Sequence, residues 1–305
     1  MPDKNARFKQ EMQPWPSIAS YAKEVNLQEI DLKIFYYEAG FSQDQPLFMI
    51  HGLGDEADTW RHVLLPLAEE FHIFAIDLPG FGRSDQPDVD YTPQFIMKTL
   101  LRFMDQLSIK SPILMGSSLG AILAHGIAIH QPELVSKLIL VGGGLLQNNA
   151  RKDWGLRLMR LPILGEWLYT RLRKDSKAAF ASLRSVYHQL EHLPKDDRDF
   201  LFTRVNQRVW SDGQRRAYFS TLRKLIPWYK YIQENLPDQL KQFEIPTLII
   251  RGEFDQLFSK FNADEIARLQ PKATNVIIQG VGHLPHQENP ESFLQEVIRW
   301  HKQLG

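Results

Sequence analysis

The sequence predicts an α/β chain, a mostly parallel sheet with helices on both faces and one helical insertion. Three observations carry that expectation. Short continuous apolar runs such as Leu47-Phe48-Met49-Ile50 read as strands buried on both faces. These runs alternate with segments of helical spacing, the pattern of βαβ units. The alternation lapses once, between Gly142 and Pro246, where helical spacing persists and strand patterning almost vanishes.

Taken in order, residues 1–24 read as a polar N-terminal leader, with Trp15 and Tyr21 as its anchors. Residues 26–30 and 32–38 read as a strand pair, the alternation being clearest at Leu32, Ile34 and Tyr36. Buried strands follow at 47–50 and 71–76, with a helix between them over 59–71. A helix over 92–107 carries Pro93 in its first turn, where the missing N–H costs nothing. Residues 113–115 form a strand and 119–129 a helix; 138–141 form the next strand. Strands at 247–250 and 276–278 enclose a helix over 262–269, and an amphipathic helix over 290–304 closes the chain. The core is therefore expected at 25–144 and 238–305, with a helical cap at 145–237.

Composition excludes several chemistries. There are 305 residues and no cysteine, so disulfides, cysteine-bound metal and a cysteine nucleophile are out. The 36 basic and 36 acidic side chains balance, which excludes a uniformly basic nucleic-acid binder. The N-terminus has no apolar secretory core, so a cytoplasmic location is expected. The uncharged run from Pro112 to Gln131 is broken by Gly116, Gly120 and Gly126. It reads as strand, turn and helix, and no stable membrane insertion is expected.

Gly116-Ser117-Ser118-Leu119-Gly120 matches G-x-S-x-G between a strand and a helix. A sharp turn there lifts the central serine above the sheet edge, and that context gives the pentapeptide its meaning. The Leu119 amide opens the helix, where developing negative charge is stabilised. A serine nucleophile needs a base, and the base an orienting carboxylate. Of ten histidines, with His301 set aside in the closing helix, His283 and His286 lie just past the last strand, at the carboxyl end where ligand sites lie on such sheets. His283, in Gly280-Val281-Gly282-His283, is the expected base and His286 a neighbour. In Arg251-Gly252-Glu253-Phe254-Asp255 the preferred acid is Asp255, with Glu253 its competitor. The glycines of His51-Gly52-Leu53-Gly54 let a second amide, that of Leu53, face Ser118, while His51 is read as structural. The Asp77–Ser84 loop lacks nucleotide-binding spacing.

These motifs, in this order, resemble the α/β-hydrolase superfamily over residues 25–144 and 240–304. The resemblance implies a Ser118–His283–Asp255 triad, an oxyanion hole from the Leu53 and Leu119 amides, and no metal or organic cofactor. It implies hydrolysis of small or medium carboxylic esters through an acyl-enzyme. The alternatives are hydrolysis of carbon–carbon bonds and a non-catalytic binding role. A serine at the elbow argues against members that use an aspartate nucleophile.

Residues 145–237 hold 18 basic and nine acidic side chains, so the remainder is acidic by the same margin. A solvated basic face explains this simply. The sharper expectation is a cap that attracts an anionic substrate or an acidic carrier protein. Residues such as Leu156, Leu161, Ile163, Leu164, Trp167, Phe219 and Trp228 are candidates for lining an acyl or aryl pocket.

Overall fold

The structure is a computed structural model and describes residues 6–146, 158–233 and 236–304. Eight strands form one sheet: β1 Ala22–Leu27, β2 Leu32–Ala39, β3 Pro46–Ile50, β4 His72–Ile76, β5 Ile113–Ser117, β6 Lys137–Val141, β7 Thr247–Gly252 and β8 Ala273–Ile278. Their spatial order is β1-β2-β4-β3-β5-β6-β7-β8. The pairs β1–β2 and β2–β4 are antiparallel, and every later pair is parallel.

Strand side chains alternate between two apolar layers, as the pleat requires. Phe48, Ile50, Phe74, Ile76 and Leu114 face one layer, shared with α2 (Pro93–Gln106) and α3 (Leu119–His130). Leu47, Met49, Ile73, Ala75, Ile113 and Met115 face the other, shared with Trp60, Leu64 in α1 (Leu64–Leu67) and the closing helix, Pro290–Gln303. Because β3 is followed by β4 on one side and by β5 on the other, their connections diverge. That leaves a crevice at the carboxyl ends of β3 and β5.

Three expectations are corrected. The first strand begins at Ala22 rather than residue 26, so a leader boundary at 24 falls inside it. Asp31 takes a left-handed conformation (φ 44) and accepts from Asn26, and this tightens the turn after Leu27. The stretch before β1 is not merely polar: Phe8, Met12 and Ile18 are buried. A continuous helix over 59–71 is replaced by a 3-10 turn, Ala57–Trp60, and the single turn of α1. Pro66 allows a first turn but not a helix interior.

Between β6 and β7 the described residues form helices and turns: α4 Leu164–Arg171, α5 Ser176–Ala181, α6 Lys195–Trp210, α7 Asp212–Gln233 and α8 Leu236–Lys241. Leu156 lies outside the described residues. Of the expected pocket-lining residues, Phe219 and Trp228 are buried, but Leu161, Ile163, Leu164 and Trp167 are exposed. After β7 come α9 (Lys260–Leu269), β8, α10 (Pro285–Glu288) and α11 (Pro290–Gln303).

Candidate active site

Ser118 joins β5 to α3 at φ 54, ψ −113, outside the ordinary backbone wells. Such a conformation costs on the order of 1–3 kcal/mol and persists only where the surroundings enforce it. Here the Ser118 N–H donates to the Val141 carbonyl (2.8 Å), anchoring the turn to β6. A Cβ at Gly116 would fall 2.2 Å from the Gly120 carbonyl oxygen, so strand and helix meet backbone to backbone. The first amides of α3, including that of Leu119, have no intrahelical acceptor and face this end of the sheet.

His51-Gly52 follows β3 and lies against Ser118: a Cβ on Gly52 would be 3.2 Å from the serine Cβ. The His51 ring is fully buried, and burial lowers its pKa despite nearby Asp77. Its Nε2 accepts from the Leu78 N–H (2.8 Å), so Nδ1 carries the proton and donates to the Gly52 carbonyl (2.7 Å). The Gly52–Leu53 peptide is trans and planar, so fixing its carbonyl on His51 turns the Leu53 N–H the opposite way. His51 thus sets the direction of the Leu53 amide, a role that residue type alone did not reveal.

Asp255 and His283 come together from the loops after β7 and β8. Asp255 Oδ2 lies 2.9 Å from His283 Nδ1, and both side chains are nearly inaccessible. The carboxylate accepts, so Nδ1 is the donor, and in the neutral ring Nε2 holds the lone pair. That Nε2 is buried without a hydrogen-bond partner. Asp255 Oδ1 accepts from the Leu257 and Phe258 amides (2.8 and 2.9 Å), which fixes the carboxylate plane. The competitor Glu253 accepts from the Gly280 amide instead, at an exposed site. His286 is buried against Trp60, bonds to Thr59 (3.0 Å), and is pushed down to about 3 by burial.

Gly142 and Gly143 make room between the serine and the histidine. A Cβ at Gly142 would lie 3.1 Å from His283 Nδ1, and one at Gly143 would lie 2.5 Å from the Ser118 carbonyl oxygen. The glycine run after β6, which offers no carboxylate, lets both loops close over the strand end.

Cap residues reach this assembly from above. The His283 N–H donates to the Val186 carbonyl (2.9 Å). Glu288 accepts from the Gly282 amide with one oxygen and from the His188 and Gln189 amides with the other. Tyr218 of α7 packs over Gly54 and stacks on Tyr169. Arg208 of α6 pairs with Asp55 and Glu56 (2.6 Å each), immediately after the His51–Gly54 segment. Burial is the largest influence on Asp55 and raises it, but the Arg208 guanidinium, His51 and hydrogen bonds from Thr59 and the Glu56 amide together hold the carboxyl below its usual range. Arg204 pairs with Glu56 (3.0 Å), and Arg83 pairs with Asp58 (2.5 Å) and Asp77 (2.8 Å). The Asp77–Ser84 loop is therefore a structural brace.

A serine on a strained strand-to-helix turn and, on the loops past β7 and β8, a histidine oriented by a buried carboxylate are the parts of an acyl-transfer hydrolase, although no hydrogen bond joins Ser118 to His283 Nε2. The family model described as alpha/beta hydrolase fold matches residues 45–290. The chain belongs to the α/β-hydrolase fold family. It is a hydrolase of that family by the same match. Among its relatives is 2-hydroxy-6-oxo-6-(2'-aminophenyl)hexa-2,4-dienoic acid hydrolase of Metapseudomonas resinovorans, 27% identical over 86% of this chain and 85% of the relative. Another is the pimeloyl-[acyl-carrier protein] methyl ester esterase of Aeromonas salmonicida strain A449, 25% identical over 85% and 96%. Among solved α/β-hydrolase structures, the 2-hydroxy-6-oxo-6-phenylhexa-2,4-dienoate hydrolase of Rhodococcus sp. strain RHA1 superposes with a TM-score of 0.76. Its identity is 20%, over 92% of this chain and 98% of that one, a likeness of fold.

Proposed function

We propose that the protein hydrolyses carboxylic esters of small or medium acyl or aryl substrates, using Ser118, His283 and Asp255. The observation that carries this reading is the buried, unpaired Nε2 of a histidine whose Nδ1–H is held by Asp255. Ser118 Oγ attacks the carbonyl carbon and gives its proton to Nε2. Asp255 orients the ring and stabilises its charged form. The Leu53 and Leu119 amides receive the oxyanion, the first aimed by His51 and the second by its place at the head of α3. The imidazolium then protonates the leaving alkoxide. Water, deprotonated by the same Nε2, attacks the acyl-enzyme and releases the acid.

Cleavage of a carbon–carbon bond beside a ketone is the second reading, favoured by the 27% identical relative named for a dienoic acid hydrolase. A panel of nitrophenyl esters, a carrier-bound acyl methyl ester and a vinylogous diketone acid separates the readings. Turnover of esters with phosphonate labelling of Ser118 supports the first. Turnover of the diketone alone overturns it in favour of the second.

A further inference from the structure

Within the cap, Leu161, Pro162, Ile163 and Leu164 are four consecutive exposed apolar residues. Leu158 and Trp167 flank them at 44% and 52% exposure, and Ile163 stands at 84%. A run of this kind finds no use in a folded chain facing only water. The backbone holds it out at a cost. Ile163 sits at φ 68, ψ −50, and the Leu164 N–H donates to the Pro162 carbonyl (2.7 Å). That is a γ-turn with positive φ, strained for any side chain and most for a β-branched one. Burial of Ile163 within this fold does not repay the strain, because the side chain points into solvent.

Along the chain at this knuckle the charge is mostly basic. Residues 158–177 contain five basic and two acidic side chains. Both acids are engaged: Glu166 pairs with Arg223, and Asp175 caps α5. Arg171 lies over the Trp167 ring at 4.3 Å. Arg171, Lys174 and Lys177 are exposed and form no ion pair among the described residues. A tryptophan beside unpaired cations, at the foot of a protruding aliphatic tip, fits the boundary between lipid headgroups and acyl chains. A second copy of the chain fits poorly, since a self-facing contact would oppose the same cations.

We propose that the Leu158–Trp167 knuckle docks the cap on an anionic membrane surface, with Ile163 and Trp167 in the interface and Arg171, Lys174 and Lys177 against acidic headgroups. The contact is peripheral, because no helix among the described residues is long and apolar enough to cross a bilayer. It does not depend on which bond the active site cleaves.

The test is co-sedimentation of the full chain with phosphatidylcholine vesicles, with and without a quarter phosphatidylglycerol. Binding is expected only to the anionic vesicles, and it should weaken between 0.1 and 0.5 M salt, as a roughly twofold shorter screening length requires. Ile163→Asp should lower partitioning about tenfold or more by removing inserted apolar area, with nitrophenyl ester turnover unchanged. Ile163→Gly should lower it too while raising the melting temperature, since glycine relieves the positive φ. Lys174→Glu should reduce the salt-sensitive part. The proposal fails if vesicles do not bind, or if Ile163→Asp binds like the parent chain. It also fails if the parent is a dimer that Ile163→Asp dissolves, or if an acidic carrier protein, and no vesicle, is captured through the knuckle.

Discussion

The sheet and the cap seam are both buried, yet they are built from opposite materials. Inside the sheet, β3, β4 and β5 contribute Phe48, Ile50, Ile73, Phe74 and Leu114, with no charge among them. At the seam, Arg61 meets Asp197, and Arg204 meets Glu56, with side chains at most 5% exposed. Apolar contact is non-directional, so a core accepts substitutions that keep volume and hydrophobicity. A buried ion pair contributes little net stability, but it fixes geometry and punishes removal of one partner. The sheet therefore supplies stability, and the seam fixes how the helices between β6 and β7 meet the loop after β3. The seam also accounts for part of the charge split between cap and core. Arg204, Arg208, Arg216 and Lys224 of the cap pair with Glu56, Asp55, Asp88 and Asp90 of the core.

The largest expected effect tests whether the chemistry belongs to the core alone. Ser118→Ala should lower ester turnover by at least about 10⁴-fold, with the melting temperature little changed, since alanine keeps the Cβ that strains the elbow. Full activity in this variant would remove the serine mechanism. Next comes a matched pair. Arg204→Met leaves Glu56 short of one partner in a buried site and should cost about 3–5 kcal/mol in urea unfolding. Phe48→Ala should cost a similar amount, about 3–5 kcal/mol, by opening a cavity. The two separate on acidification. Burial already raises Glu56, so a lower pH neutralises it and shrinks the Arg204→Met penalty, while the Phe48→Ala penalty stays constant. Equal pH responses would erase the distinction drawn between the regions.

A smaller effect concerns His125 and His286, both fully buried and lowered by burial from 6.5 to about 3. Both stay neutral in the fold down to about pH 3, whereas the unfolded chain protonates them near 6.5. The unfolded state binds more protons in that window. Stability should therefore fall on acidification, by about 1.4 kcal/mol per pH unit for each ring. Urea midpoints between pH 7 and 4 should show a flatter slope in His286→Gln. The smallest effect is at the surface: Lys195→Ala, which breaks an exposed pair with Asp199, should change stability by no more than about 0.5 kcal/mol. A cost comparable to Arg204→Met would show that exposure is not what separates the two classes of pair.

The same contrast decides what could be read from the sequence. Strands such as 47–50 and 113–115 were legible because burial on both faces leaves a continuous apolar run in the chain itself. The positions of Ser118 and Asp255 were legible because each follows such a strand, and that of His283 because it follows a shorter apolar run at the half-exposed edge strand β8; position relative to a strand end is local information. Arg208 and Asp55 lie far apart in sequence, and nothing local marks them as partners. Glu288 gave no signal either, since its three acceptor contacts are to backbone amides of two separate loops. The broken helix over 59–71 was readable in principle from Pro66. The start of β1 was not, because Ala22–Leu27 is an edge strand whose burial is weak and irregular.

The segment before β1 has a consequence for the order of folding. The carbonyls of Gln10 and Gln13 accept from Gln207 and Arg204, the Trp15 N–H donates to Asp58 (2.7 Å), and Phe8 packs on Phe202. Its binding surface is thus half α6 and half the loop after β3. That surface does not exist until residues some two hundred positions downstream have taken their places. Ile18 of this stretch packs on the sheet side, but its segment 8–13 docks only once α6 has settled. Its docking is then a late latch, and protease sensitivity near Gln10 during refolding becomes a clock for the completion of the seam.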